Sequence, residues 1–186
     1  MKHIGTKRME TERLILRPFI DEDASAMYKN WASDPEVTRF LTWPTHSNVE
    51  ISKMIVSHWV SLYGETNHYQ WAIVLKEINE PIGSIAAVSV NDALDKVEIG
   101  YCIGQTWWHR GITTEALRAV MDFFFSEVGV NRVEARHDPR NPHSGAVMAK
   151  CGMGFEGIQR QADINNMGRC DVAWYGRLAS DEGANL

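Results

Sequence analysis

Downstream of Gly104, and running into an apolar stretch that starts at Ile112, the chain reads Trp107-Trp108-His109-Arg110-Gly111-Ile112-Thr113-Thr114. A helix that begins here presents backbone N–H groups without intrahelical partners and the positive end of its dipole. Gly111 carries no side chain to hold an anion away from those groups, and Arg110 adds positive charge. Phosphate or pyrophosphate binding is the chemistry such a turn supports. A strand, a loop with one glycine and a helix also occur as plain structure. Neither the G-x-x-x-x-G-K-[ST] loop nor the G-x-G-x-x-G fingerprint is present. Cys102, Cys151 and Cys170 are widely spaced, with no C-x-x-C and no histidine at ligand spacing. They read as idle thiols in a reducing compartment, with no metal site. His109, His137 and His143 show no partner in sequence, so each is expected on a surface or loop.

A fold must position these groups. The 186 residues, 44% hydrophobic and 23% charged, predict one domain over 1–186 whose core needs no disulfide or metal staple. A polar tail is expected from about Ser180 to Leu186. The net charge of −5 argues against nucleic acid or an anionic membrane as partner. No apolar run approaches the roughly 20 residues of a membrane helix, and no apolar stretch follows the charged residues before Leu14 as in a secretory signal. The expected location is the cytoplasm.

Leu14–Arg17, stopped by Pro18, reads as a first strand, and the acidic run Asp21–Asp23 as the cap of a helix to about Ser33. Pro35 restarts the chain. Ile51, Met54, Ile55, Trp59 and Leu62 predict the apolar face of a helix over about 49–63. Tyr69–Lys76, Ile82–Val90 and Val97–Ile103 read as a meander of antiparallel strands with turns at Asn79-Glu80-Pro81 and Asn91-Asp92. A helix over about 112–128 follows, then a short buried strand at 133–136 and a helix capped by Asn141 with Pro142 at its first position. Two last strands, about 155–162 and 169–178, flank the hairpin turn Asn165-Asn166-Met167-Gly168. The fold class is α/β (α+β): one mixed, mostly antiparallel central sheet of six or seven strands flanked by helices. Of the seven tryptophans and the run Phe123-Phe124-Phe125, most are expected in the core.

Trp108-His109-Arg110-Gly111-Ile112-Thr113 resembles the [Q/R]-x-x-G-x-[G/A] acetyl-CoA loop of the GNAT acetyltransferases, with Trp108 and Thr113 departing from it at its ends. The stretch around it, Val97–Ala116, is similar to the branch that contains the ribosomal-protein N-terminal acetyltransferases. So are Thr11–Arg17, the helix from Asn141-Pro142-His143-Ser144 to Lys150-Cys151-Gly152-Met153, and the stretch Gly157…Asp171…Tyr175. Together they span nearly the whole chain in the family's order.

The resemblance implies a GNAT-like domain that uses acetyl-CoA as co-substrate. It places the pantetheine arm along backbone groups of Tyr101, Cys102 and Ile103, the pyrophosphate on amides from Trp108 to Thr114, and Asn141 beside the arm. Met148 stands where many members carry a tyrosine that protonates the departing thiolate, and methionine has no proton to give. Ser144, where this branch has a serine near the sulfur, is the implied substitute; its plain alternative is a helix serine bonding its own backbone. Three carboxylates compete as base: Asp163, Glu98 and Glu134, with water-relayed deprotonation left open. The implied activity is acetyl transfer to a primary amine, foremost the α-amine of a protein or peptide, with a ribosomal protein N-terminus as candidate partner. The alternatives are a small-amine acetyltransferase (antibiotic, polyamine or amino acid) and a non-catalytic acyl-CoA-binding module. Monomer and homodimer remain equally open.

Overall fold

The computed structural model describes residues 1–183. The sheet has eight strands: β1 (Met9–Glu10), β2 (Leu14–Arg17), β3 (Gln70–Leu75), β4 (Glu80–Asn91), β5 (Lys96–Ile103), β6 (Arg132–His137), β7 (Gly154–Asn165) and β8 (Gly168–Leu178). Their order is β1-β2-β3-β4-β5-β6-β8-β7. Every neighbour pair is antiparallel except β5–β6. The helices are α1 (Ala24–Met27), α2 (Pro35–Thr38), α3 (Val49–Leu62), α4 (Ile112–Phe123) and α5 (Pro142–Lys150). The sheet exceeds the expected six or seven strands by β1, two residues paired to Ile15 and Leu16. Its sequence is only Met9 and Glu10, too short to show any alternation, so only the partner strand makes it a strand.

One core lies against α4 and α5 and holds Leu14, Leu16, Trp71, Ile73, Val97, Ile99, Leu117, Val120 and Phe124. The other lies against α1 and α3 and holds Phe19, Met27, Trp31, Val56 and Val74. Each fully buried side chain of this size contributes roughly 1.5–3 kcal/mol. Alternation along β5 sends Val97, Ile99 and Tyr101 toward the first core, and Cys102 toward the second.

Side-chain caps open two of the five helices. Asp34 accepts the Glu36 N–H with Pro35 at the first helical position, and Asn48 accepts the N–H groups of Glu50 and Ile51 to open α3. Three expectations change. The buried stripe of α3 runs through Ser52 and Val56, and Met54 points to solvent; packing on the sheet rotates the helix relative to its most apolar face. Asp21–Asp23 is itself a 3-10 turn, and Asp23 takes a two-pronged hydrogen bond from Arg17 instead of capping α1. Ala179–Gly183 also forms a 3-10 turn, with Asp181 accepting the Leu178 N–H, where a frayed tail was expected. The rest of that expected tail, 184–186, lies outside the described residues.

The feature that positions the site is a split in the sheet. β5 and β6 pair in parallel only through Lys96–Arg132, Val97–Val133 and Glu98–Glu134. Beyond Glu98 the strands part, leaving one edge of Ile99–Ile103 free of a strand partner.

Candidate functional site

Two cavities, of about 450 and 440 Å3, open along this split. The first is lined by Ile103, Trp107, Trp108, His109, Gly111–Thr114 and the first turns of α5. The second is lined by Glu98, Cys102, Arg136, His137, Asp163 and an apolar wall from the α2–α3 loop and α3. Phe40, Leu41, Tyr101, Asn141 and Ser144 line both, so these residues mark where the cavities meet.

One side of the first cavity is shaped by the backbone turn that starts α4. Gly111 sits at the N-cap of α4 with φ +73°, and His109 also has positive φ, 60°. No side chain caps α4, and its first backbone bond runs from the Glu115 N–H to the Gly111 carbonyl at 3.0 Å. The amides of Ile112–Thr114 precede that bond and so lack intrahelical partners, and these residues line the cavity. A Cβ at Gly111 would meet only Arg13 Nη2, at 3.7 Å, so the backbone conformation, rather than crowding, requires glycine. Glu115, in the first turn of α4, would oppose an anion. It is engaged by the Arg13 N–H and Nε and by the Thr11 hydroxyl. Burial alone would raise its carboxyl, but these donors hold it below the usual value. Arg13 Nη1 also donates to the Arg110 carbonyl at 2.8 Å, tying β2 to the loop. Trp108 Nε1 donates to the Ile103 carbonyl at 2.8 Å. The Arg110 side chain does not line the cavity; its carbonyl, held by Arg13, is what it contributes.

At the junction, the Tyr101 hydroxyl donates to the Ser144 carbonyl at 3.0 Å and lies 3.1 Å from Ser144 Oγ. Burial raises the phenol above its ordinary value, so it stays protonated. Ser144 therefore has a cross-element partner in place of the local backbone bond. Met148 is buried in the core behind it and reaches neither cavity. Asn141 occupies the N-cap position of α5 but makes no side-chain cap bond, contrary to expectation, so its amide is left to the cleft. Tyr101 as a hydroxyl donor is missed by the sequence reading, because nothing local pairs a strand tyrosine with a helix 43 residues away.

The second cavity is built from side chains of distant segments. Arg136, on β6, reaches across the split: Nε donates to Glu98 Oε1 at 2.7 Å and Nη1 to Asp163 Oδ2 at 2.5 Å. Its guanidinium also lies 5.6 Å from the centre of the Trp174 ring. Burial alone would pull Arg136 down, and the two carboxylates reverse this, holding it above the usual arginine value. Asp163 Oδ1 accepts the Ile164 N–H at 2.8 Å. Both Asp163 oxygens are thus engaged, whereas Glu98 Oε2 has no hydrogen-bond partner among the described residues. Glu134, the third candidate, is buried between Lys96 and Arg132 and lines neither cavity.

Nearby, Asp138 is clasped by Arg140 and by Asn165 Nδ2. Burial would raise this carboxyl, but these partners hold it down to about 2. Asn166, at the β7–β8 turn, donates to the carbonyls of Thr38 and Trp43 at 2.8 Å each, pinning the loop that carries Phe40 and Leu41 over the cleft. His137 is not a surface residue: Nε2 is buried without a partner and the side chain lines the second cavity. A Cβ on Gly145 would come within 2.6 Å of that nitrogen, so glycine leaves the imidazole its place. The rings of His109 and His143 meet edge to face at 4.6 Å. Trp43, Trp59, Trp107 and Trp108 line the cavities, while Phe123–Phe125 are core as expected.

Residues 13–154 match the family model of the acetyltransferase (GNAT) domain. An uncharacterized N-acetyltransferase of Bacillus licheniformis is 32% identical over 152 residues, covering 81% of this chain and 84% of the relative. The ribosomal protein uS5-alanine N-acetyltransferase of Escherichia coli is 28% identical over 161 residues, covering 82% and 81%. Among solved structures, a ribosomal L7/L12 α-N-protein acetyltransferase in complex with coenzyme A superposes with a TM-score of 0.83 over 92% of this chain and 98% of that one. At 20% identity it shows a shared fold.

Proposed function

This chain belongs to the GNAT acetyltransferases, and we propose that it transfers the acetyl group of acetyl-CoA to the α-amine of a polypeptide. The observation that carries this reading is the meeting of a backbone-lined anion cavity with an acid-bearing cleft at the Tyr101–Ser144 hydroxyl pair. The amides from Trp108 to Thr114 would hold the pyrophosphate, and the free edge of Tyr101, Cys102 and Ile103 would pair with the amides of the pantetheine arm. Arg13 keeps the loop in shape. Asn141, free of a capping role, would touch the arm.

The amine nitrogen attacks the thioester carbonyl, the C–S bond breaks, and a proton passes from nitrogen to sulfur overall. Ser144, hydrogen-bonded to the protonated Tyr101, is the group we assign to protonate the thiolate. Of Glu98 and Asp163, Glu98, with Oε2 free, is the better placed to accept the ammonium proton, and Asp163 holds Arg136 in position. The acceptor assignment draws on the uS5-alanine acetyltransferase relative. It also draws on the engagement of every carboxylate lining the acceptor cleft by an arginine. An α-amine, with a pKa near 8, is partly neutral at pH 7 and asks little of a base. We place the protein in the cytoplasm, where its three free thiols stay reduced.

A CoA-release assay over N-terminal peptides, polyamines, aminoglycosides and amino acids tests the reading. Turnover fastest on peptides supports it. Polyamines or aminoglycosides acetylated orders of magnitude more efficiently than every peptide would overturn the acceptor class. Binding of acetyl-CoA with no release on any amine would make the protein an acyl-CoA-binding module.

A further inference from the structure

Among the described residues, the cleft's charges come in tied groups. Glu98, Asp138 and Asp163 are its carboxylates. Arg136 bridges Glu98 and Asp163, and Arg140 clasps Asp138. Three negative groups against two guanidiniums leave one net negative charge among these tied groups, and burial disfavours the charged form of His46 beside them. Across the cavity stand Phe40, Leu41, Trp43, Ile55 and Trp59, which offer a second cation no carboxylate. From this we infer that Arg136 is a specificity-determining residue that limits the acceptor to a molecule with one ammonium group near the reacting end. The inference rests on the acetyltransferase reading of this cleft. One ammonium balances the net charge of the site, whereas a second held inside the same cleft faces either the apolar wall or the Arg136 guanidinium.

Arg136 acts through the carboxylates it holds and is a positioning residue, so the test must read selectivity instead of rate alone. Two probe pairs differ only by one ammonium: hexylamine against 1,6-diaminohexane, and a peptide with norleucine in second place against the same peptide with lysine there. For each pair the ratio of kcat/KM, and the ratio of affinities by calorimetry with CoA present, is measured on four proteins. The wild type should favour the single-ammonium member of each pair. Arg136→Gln should move both ratios toward the two-ammonium member by at least about fivefold, the effect of one unit charge at about 4 Å even in water. Arg136→Lys should restore the wild-type ratio, and Asp163→Asn should push it the other way. A ratio measured within one protein does not move with its folded fraction. Binding with ratios unmoved in Arg136→Gln and Asp163→Asn overturns the inference and leaves the functional reading standing. No binding of any probe to the wild type overturns both.

Discussion

The two halves of the cleft are made of different material. The half proposed for the donor centres on the backbone of one continuous stretch, Ile103–Thr114, shaped by two residues of positive φ, tied back by Arg13 and closed by the first turns of α5. The acceptor half uses side chains from the α2–α3 loop, α3, β5, β6, β7 and β8, locked by the Arg136 bridge and the Asn166 pin. Backbone donors present the same surface whatever most of their side chains are, which suits an invariant diphosphate. Side-chain walls change with every substitution, which suits an acceptor that differs among proteins of one fold.

The contrast is broken most sharply at Gly111. Gly111→Glu places a side chain at φ +73° and a negative charge among the amides proposed to hold the pyrophosphate. It should abolish measurable acetyl-CoA binding in calorimetry, while His109→Ala, which leaves the amides in place, should bind within about threefold of wild type, under 1 kcal/mol. Arg13→Ala lies between them, at roughly tenfold weaker binding, because the loop loses its tether to β2. Equal loss in all three would mean that side chains, and not amides, build this half.

The junction gives the next effect. Ser144→Ala should lower kcat by about 10²–10⁴-fold with acetyl-CoA affinity near wild type. Tyr101→Phe should do less, and the double variant should fall short of the product of the two losses, since both hydroxyls serve one proton. Glu98→Gln should cost more in kcat than Asp163→Asn; the reverse order would move the base to β7. Unchanged kcat in all of them would leave proton transfer to solvent and the rate to positioning.

The smallest effect is in stability. Asp138 is held near pH 2, below the ordinary 3.8, so its ionised form favours the folded state. The sign follows: this stabilisation is full above about pH 4 and is lost as the pH falls through 2. Urea midpoints should show Asp138→Asn less stable than wild type by about 1–2 kcal/mol at pH 7, with the gap closing between pH 4 and 2. A gap that persists at pH 2 would assign the loss to packing.

Much was legible before folding. Alternating and three-to-four periodicities located seven of the eight strands and the long helices, because burial on one face forces those patterns. The glycine turn that starts α4 was legible as well, since it lies in consecutive residues. β1 was not legible, because two residues carry no alternation and become a strand only through the edge of β2. Nor was the rotation of α3, which the sheet's shape sets and which leaves the apolar Met54 in solvent.

The acceptor half shows where sequence ends and tertiary structure begins. The chain by itself determined that a mixed sheet would form, that a helix would start at Gly111 with unpaired amides, and which polar residues were available near the cleft. Only the folded molecule decided that Tyr101 meets Ser144, that Asn141 leaves its cap unfilled, and that one guanidinium binds Glu98 and Asp163 together. The reason is separation. Arg136 lies 38 residues from Glu98 and 27 from Asp163, and the parting of β5 from β6 after Glu98 brings all three to one opening.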